Sequence, residues 1–228
     1  MDLEISRREF IAGSVTLALS FSGCLGSGNQ GGGGDNGDQG SIGNHASADG
    51  LDSQPYLGPS PFDAGATVIA FEDPSCPTCA RFERESFPRM MSPINSGKLS
   101  FVYRVYPVIY EWGKPAVQAL EATYARDESA FWDLKDHYYA EQSQFNTENV
   151  LDRTRDFLES NTGVDASGVV EDARNKKYND AVQLDLNTGK KAGAGSVTPT
   201  FFLFREREYV TKLRGYQDYS VFKTTLGL

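Results

Sequence analysis

Two cysteines three positions apart, Cys76 and Cys79, are the feature that most narrows what this chain can fold into. They lie where a short β-branched run, Thr67-Val68-Ile69-Ala70-Phe71, gives way to a stretch predicted to be helical from about Cys76 to Met91. A helix N-terminus has unpaired backbone N–H groups and a partial positive charge, and both favour a thiolate over a thiol. Cys76, nearest the helix end, is therefore expected to be the exposed sulfur of low pKa. Cys79, one turn in, is expected to be more buried and to resolve it. Pro77 suits the first helical turn, where its missing N–H would have had no partner, and Thr78 completes the bridge. The same spacing is half of a zinc site, which needs about four ligands. The remaining candidates are poor, because Cys24 lies near the N-terminus, His45 in a glycine-rich stretch, and His137 stands alone in the rest of the chain. Redox chemistry is the favoured reading. A bound metal or a purely structural disulfide, which would close a very small loop and stabilise little, are its alternatives.

Around this motif the pattern is that of an α/β domain. Lys98 to Tyr106 reads as a second strand, with Phe101, Tyr103 and Val105 on one face and Val102, Arg104 and Tyr106 on the other. Apolar residues then switch to helical spacing at Val117, Leu120 and Tyr124, at Phe131, Leu134 and Tyr138, and at Val150, Thr154 and Phe157. Thr200 to Phe204 and Tyr209 to Leu213 flank Arg205-Glu206-Arg207-Glu208 and read as a hairpin, covered by a last helix from about Asp218 to Leu226. His137 falls on the flank of its apolar stripe, which suits a boundary residue of the helical section better than a catalytic one.

Val197-Thr198-Pro199-Thr200 directly precedes the third long strand. Together with the upstream thiol motif, these residues resemble the DsbA-like branch of the thioredoxin superfamily. That branch pairs a Cys-x-x-Cys on the first helix with a cis-proline loop before a hairpin. The resemblance covers about residues 55 to 228, including Tyr56-Leu57-Gly58, Phe71 to Phe82 and Gly193 to Gly215, with a helical insertion at about 107–195. It implies a thioredoxin-like fold in which Cys76 is the nucleophilic, substrate-linked sulfur and Cys79 the resolving one. It also implies that Pro199 faces them after a cis bond, and that Thr198 offers backbone groups to an extended substrate. No cofactor or metal is implied. Two departures stand out. Many relatives bury an acid six positions before the first cysteine, where this chain has Ala70; Glu72 and Asp73 lie closer and read as solvated loop or helix-cap carboxylates rather than as a proton relay. The bridge is Pro-Thr where the strong oxidants have Pro-His, so the direction of electron flow stays open.

The N-terminus reads Ser6-Arg7-Arg8-Glu9-Phe10-Ile11, a modest apolar stretch to Phe21, then Ser22-Gly23-Cys24. This resembles a twin-arginine signal peptide over residues 1–23 ending in a lipobox, with Cys24 the site of lipid attachment. An uncleaved apolar tail with an incidental cysteine is the bland alternative. Ten glycines between residues 24 and 50 make 24–54 an expected flexible linker. The 31 acidic against 22 basic residues give a net charge of −9, which argues against nucleic-acid binding. The same excess would suit the salt-adapted surface of a haloarchaeal protein.

The expected function is thus a membrane-tethered thiol–disulfide oxidoreductase on the outer face of the cytoplasmic membrane. It would introduce disulfides into exported thiol-containing proteins and be recycled by a membrane redox partner. The alternatives are a reductase or isomerase acting on disulfide-containing proteins and fed by a membrane electron donor, or a non-catalytic binding lipoprotein of the same fold. A small-molecule peroxidase is a weaker one.

Overall fold

The computed structural model describes residues 40–228; the expected signal peptide, Cys24 and the expected linker as far as residue 39 lie outside the described residues. The β-branched run becomes β2 (Ala66–Glu72), the centre of a five-stranded sheet. Its neighbours follow the order β1-β3-β2-β4-β5, where β1 is Tyr56–Leu57, β3 Leu99–Val105, β4 Thr200–Arg205 and β5 Glu208–Arg214. β3 runs parallel to β2, with Ala66 opposite Leu99 and Glu72 opposite Val105. β4 is antiparallel on the other side, placing Ala70 opposite Phe201 and Phe71 opposite Thr200. Every residue of β2 and β3 is buried, as expected of strands covered on both faces. The hairpin turns through Glu206 and Arg207, both at positive φ (51° and 71°), the backbone a two-residue hairpin loop requires.

Strand alternation divides the core as expected. Val68, Ala70, Phe101, Tyr103 and Val105 face one layer, and Ile69, Phe71, Val102 and Tyr106 the other. The first layer holds α1 (Pro77–Glu85), α2 (Phe87–Asn95) and the C-terminal α8 (Tyr219–Leu226), with α8 capped by the Asp218 side chain. Between β3 and β4 the helical section comprises α3 (Gly113–Tyr124), α4 (Glu128–Ala140), α5 (Val150–Asn161), α6 (Ala166–Arg174) and α7 (Asn179–Lys191). Among the described residues, no helix is long and apolar enough to cross a membrane.

Two expectations need correction. The helix anticipated from Cys76 to Met91 is two helices, because Pro88 has no N–H to offer the carbonyl four residues back and closes α1 at Glu85. The junction residue Ser86 instead donates its hydroxyl to the Gln217 carbonyl at 2.7 Å. The second correction concerns the linker, whose last part is packed. Residues 41–54 form three short 3-10 turns against the second face of the sheet, burying Ile42, Ser47 and Leu51. His45, expected in a flexible linker, is only 4% exposed and stacks on Tyr209 at 4.6 Å. The cause is a buried ion pair that composition cannot reveal. Arg104 meets Asp185 of α7 at 2.8 Å and donates to the carbonyls of Ser47 (2.9 Å) and Asp49 (2.8 Å), while Gln54 donates to Asp185 at 3.0 Å.

Candidate active site

Cys76 is the N-cap of α1, in extended backbone (φ −80°, ψ 119°), with Pro77 as the first helical residue. The loop before it is tightly held. Asp73, fully buried, accepts from the Ser75 N–H (2.8 Å) and hydroxyl (2.6 Å) and from the N–H groups of Val108 (2.8 Å) and Ile109 (2.7 Å). The start of α3 closes on this loop so tightly that a Cβ on Gly113 would lie 2.5 Å from Asp73 Oδ1. Asp73 is therefore a buried loop anchor and not a solvated carboxylate.

The Thr198–Pro199 peptide is cis, as expected. The Thr198 carbonyl lies 3.3 Å from Cys76 Sγ, which donates to it as a thiol. The cysteines are not bonded to each other. Their environments push them apart. Cys76 is lowered from the ordinary value near 9 to about 6, chiefly because the Cys79 thiol donates to it. Burial opposes the shift, and the Thr198 side chain and the N–H groups of Cys79 and Thr78 add to it. Cys79 is pushed well above the ordinary thiol range by burial first, then by the hydrogen bond to Cys76 and the charge of Glu72. Cys76 is itself only 3% exposed against 0% for Cys79, so the expected contrast in exposure is small. The contrast lies in polarity instead. Cys76 is reached by the N–H groups of Thr78 and Cys79 and by Thr198, whereas the fully buried Cys79 is reached by the Asp73 backbone N–H.

Glu72, expected to be solvated, is fully buried at the end of β2, on the same strand face as Val68 and Ala70. No hydrogen bond of normal geometry reaches either of its oxygens, and burial, aided by the charge of Glu83, holds its pKa well above the carboxylate range. Lys135 of α4, also fully buried, meets Glu83 at 2.6 Å. Burial alone would discharge Lys135, but Glu83, Asp136 and Glu72 together keep it protonated. The hydroxyls of Tyr103 and Tyr139 bond each other at 2.9 Å beside this group. Lys135, Glu83 and Tyr139 escaped the sequence reading; a lysine on the apolar stripe of α4, one position after Leu134, was the available signal. His137 is a half-buried boundary residue stacked on Phe157 at 4.1 Å, with its pKa lowered by burial. Among the described residues, no group of three or more His, Cys, Asp or Glu is placed to hold a metal ion.

Three of the four large apolar side chains exposed among the described residues flank this mouth: Ile109, Tyr110 and Val197. Ile109 and Tyr110 belong to the loop bonded to Asp73 and Ser75, and Val197 immediately precedes Thr198.

A family model described as thioredoxin matches residues 54–217. Disulfide bond formation protein D of Bacillus subtilis (strain 168) is 24% identical over 178 residues, 77% of each chain. A probable disulfide bond formation protein D of Bacillus cereus is 29% identical over 144 residues, 59% of this chain and 65% of the relative. Among solved structures, oxidised BdbD from Bacillus subtilis superposes with a TM-score of 0.69 at 24% identity, over 78% of this chain and 92% of that one. Wolbachia pipientis alpha-DsbA1 gives 0.64 at 20% identity, over 76% and 89%. The chain belongs to the thioredoxin family, among its DsbA-like thiol–disulfide oxidoreductases.

Proposed function

We propose that this chain introduces disulfides into exported proteins through the Cys76–Cys79 pair, from a domain tethered to the outer face of the cytoplasmic membrane at a lipidated Cys24. The observation that carries the reading is the pairing of a depressed Cys76 with an elevated Cys79 beside cis-Pro199. A thiolate favoured at Cys76 stabilises the reduced enzyme and so makes its disulfide oxidising. In the forward reaction a substrate thiolate attacks Cys76 Sγ, forming a mixed disulfide as the Cys76–Cys79 bond breaks. Cys79 leaves as a thiolate and takes a proton, for which the protonated Glu72, buried and electrostatically coupled to Cys79, is the donor. A second substrate thiolate then attacks the substrate sulfur, releasing Cys76 as a thiolate that stays deprotonated above about pH 6. Two electrons pass from the substrate dithiol to the enzyme, and a membrane redox partner would remove them.

The apolar rim of Ile109, Tyr110 and Val197 suits incompletely folded polypeptides, whose apolar side chains are still exposed. The Thr198 backbone lies beside Cys76, where an extended client could pair with it. The likeness to proteins named for disulfide bond formation favours oxidation over reduction. The described chain also enters the domain away from the cysteines. Ser41 bridges Glu208 at the hairpin end of the sheet, whereas Cys76 lies beyond the opposite ends of β2 and β4.

Oxidative refolding of a reduced client protein tests the proposal. The parent should accelerate disulfide formation, and Cys76→Ser should abolish the effect, with Cys79→Ser trapping mixed disulfides. A reduction potential of about −120 to −180 mV is expected for an oxidant, and one near about −270 mV would assign the chain to reduction instead. Retention of function in both serine variants would sink the catalytic reading. Cys24→Ser should move the protein from the membrane to the soluble fraction.

A further inference from the structure

From the end of α4 the helical insertion reaches back to the loop in front of Cys76 through the side chain of Gln142. Gln142 opens the 3-10 turn Gln142–Gln144 and is half-buried. Its amide nitrogen donates to the Pro74 carbonyl at 2.7 Å and to the Cys76 carbonyl at 3.0 Å. Both N–H groups of one planar amide are thereby spent on the loop, across 66 residues of sequence in the case of Cys76. Two acceptors on either side of Ser75 fix the rotation of the intervening peptides as well as their position.

We propose that Gln142 is a positioning residue through which the insertion sets the thiolate character of Cys76. The route is geometric. The Cys76 carbonyl is also the first helical acceptor, taking the Ala80 N–H at 3.0 Å, so its orientation is shared between α1 and Gln142. That orientation, with the extended backbone at Cys76, aims Sγ at the N–H groups of Thr78 and Cys79 and at Thr198. Asp73 and Ser75 hold the same loop from the β3–α3 side, and Gln142 holds it from the α4–α5 side. Without Gln142 the carbonyls of Pro74 and Cys76 lose a donor in a partly desolvated place, and the peptides can turn to find water. Gln142 is uncharged, so its replacement by methionine reads out the loop and not a change of charge.

The inference rests on Cys76 being the reacting thiol. Its test is the Cys76 pKa, followed by thiolate ultraviolet absorbance against pH, in the parent and in Gln142→Met and Gln142→Glu. The methionine keeps length and removes both donors; the glutamate sets a carboxylate against two carbonyls. Gln142→Met should raise the Cys76 pKa by about half a unit and Gln142→Glu by about one unit or more. At pH 8 the equilibrium with glutathione should move about threefold and tenfold, respectively, toward the protein disulfide. Thr154→Val, which loses the 2.6 Å bond to Tyr138 inside the insertion, should lower the melting temperature and leave the Cys76 titration in place. If both Gln142 variants keep the parent pKa within about 0.2 units, whatever their melting temperature, Gln142 is only a structural tie and the inference is overturned. If the parent shows no thiolate forming below pH 8, the redox reading of Cys76 itself falls and takes this inference with it. The two failures are thus separable.

Discussion

Raising the pH through the titration of Cys76 should stabilise the dithiol form of the domain and not the disulfide form. Folding lowers the Cys76 pKa from near 9 to about 6, so between those values the unfolded chain binds more protons than the folded one. Stability from this group is therefore lost as pH falls through 6, grows by about 1.4 kcal/mol per pH unit above it, and is complete near pH 9. The expected contribution is close to zero at pH 5, about 1.4 kcal/mol at pH 7 and about 2.7 kcal/mol at pH 8. As a reduction potential this is about 30 mV at pH 7 and about 60 mV at pH 8, relative to a pair with an ordinary first thiol. Cys79, held well above the usual range, stays protonated in both states over this window and adds nothing. Urea unfolding of the dithiol and disulfide forms at pH 5, 6, 7 and 8 isolates the effect. Asp185, Glu121 and His137 titrate in both forms and drop out of the difference to first order. The dithiol-minus-disulfide stability should rise by about 2.7 kcal/mol from pH 5 to pH 8, and Cys76→Ala should abolish the rise. A difference flat to within about 0.5 kcal/mol would show that the N-cap environment does not stabilise the thiolate, and the argument for an oxidising disulfide would lose its basis.

Three further outcomes follow from the surroundings of the thiols. Glu72→Gln replaces a carboxyl already held neutral by burial, so urea unfolding at pH 7 should change by less than about 1 kcal/mol. Resolution of a mixed disulfide by Cys79, measured in stopped flow, should nonetheless slow on the order of tenfold to a hundredfold, and an unchanged rate would remove Glu72 from proton transfer. Asp185→Asn strands the buried Arg104 guanidinium and should cost roughly 3–5 kcal/mol, with residues 41–54 becoming the first site of limited proteolysis; cleavage elsewhere first would contradict the clamp. Gly113→Ala drives a methyl against Asp73 Oδ1 and Ser75 Oγ and should destabilise by about 1–3 kcal/mol while shifting the Cys76 titration. A stable variant with the parent titration would mean that the loop yields there.

What could be read in the sequence was whatever local pattern decides. Strand alternation placed Phe101, Tyr103 and Val105 on one face of β3 and Val102 and Tyr106 on the other. The Cys76-Pro77-Thr78-Cys79 turn and the proline before β4 were visible because turn chemistry is local. The packing of residues 41–54 was not, because it depends on Arg104 and Asp185, which are 81 positions apart and pair only after folding. A glycine-rich composition reads as poor in core-forming residues, yet Ile42 and Leu51 suffice to hold residues 41–54 once an ion pair supplies partners for their carbonyls. Gln142 was equally invisible, since a polar residue after a helix gives no hint of the loop it will meet.

The displaced acid shows how position in a motif and position in space can diverge. Side chains two apart on a strand share a face, so Glu72 keeps the orientation that Ala70 would have given an acid and moves it roughly 7 Å toward the strand end. At Ala70 the cross-strand neighbours are Tyr103 and Phe201, both fully buried, and a carboxylate there would lie among rings. At Glu72 the chain can bring Glu83 from α1 and Lys135 from α4 into the same electrostatic environment, and the charge of Glu72 acts directly on Cys79. Burial and Glu83 hold Glu72 protonated, while Lys135 limits the cost of ionising it. An acid that is neutral at rest but affordable as an anion is what a leaving thiolate at Cys79 requires. Counting six positions back from the first cysteine finds an alanine and reports a missing group. Following the strand face to its end finds a buried acid on the same side of the sheet, whose charge acts on Cys79.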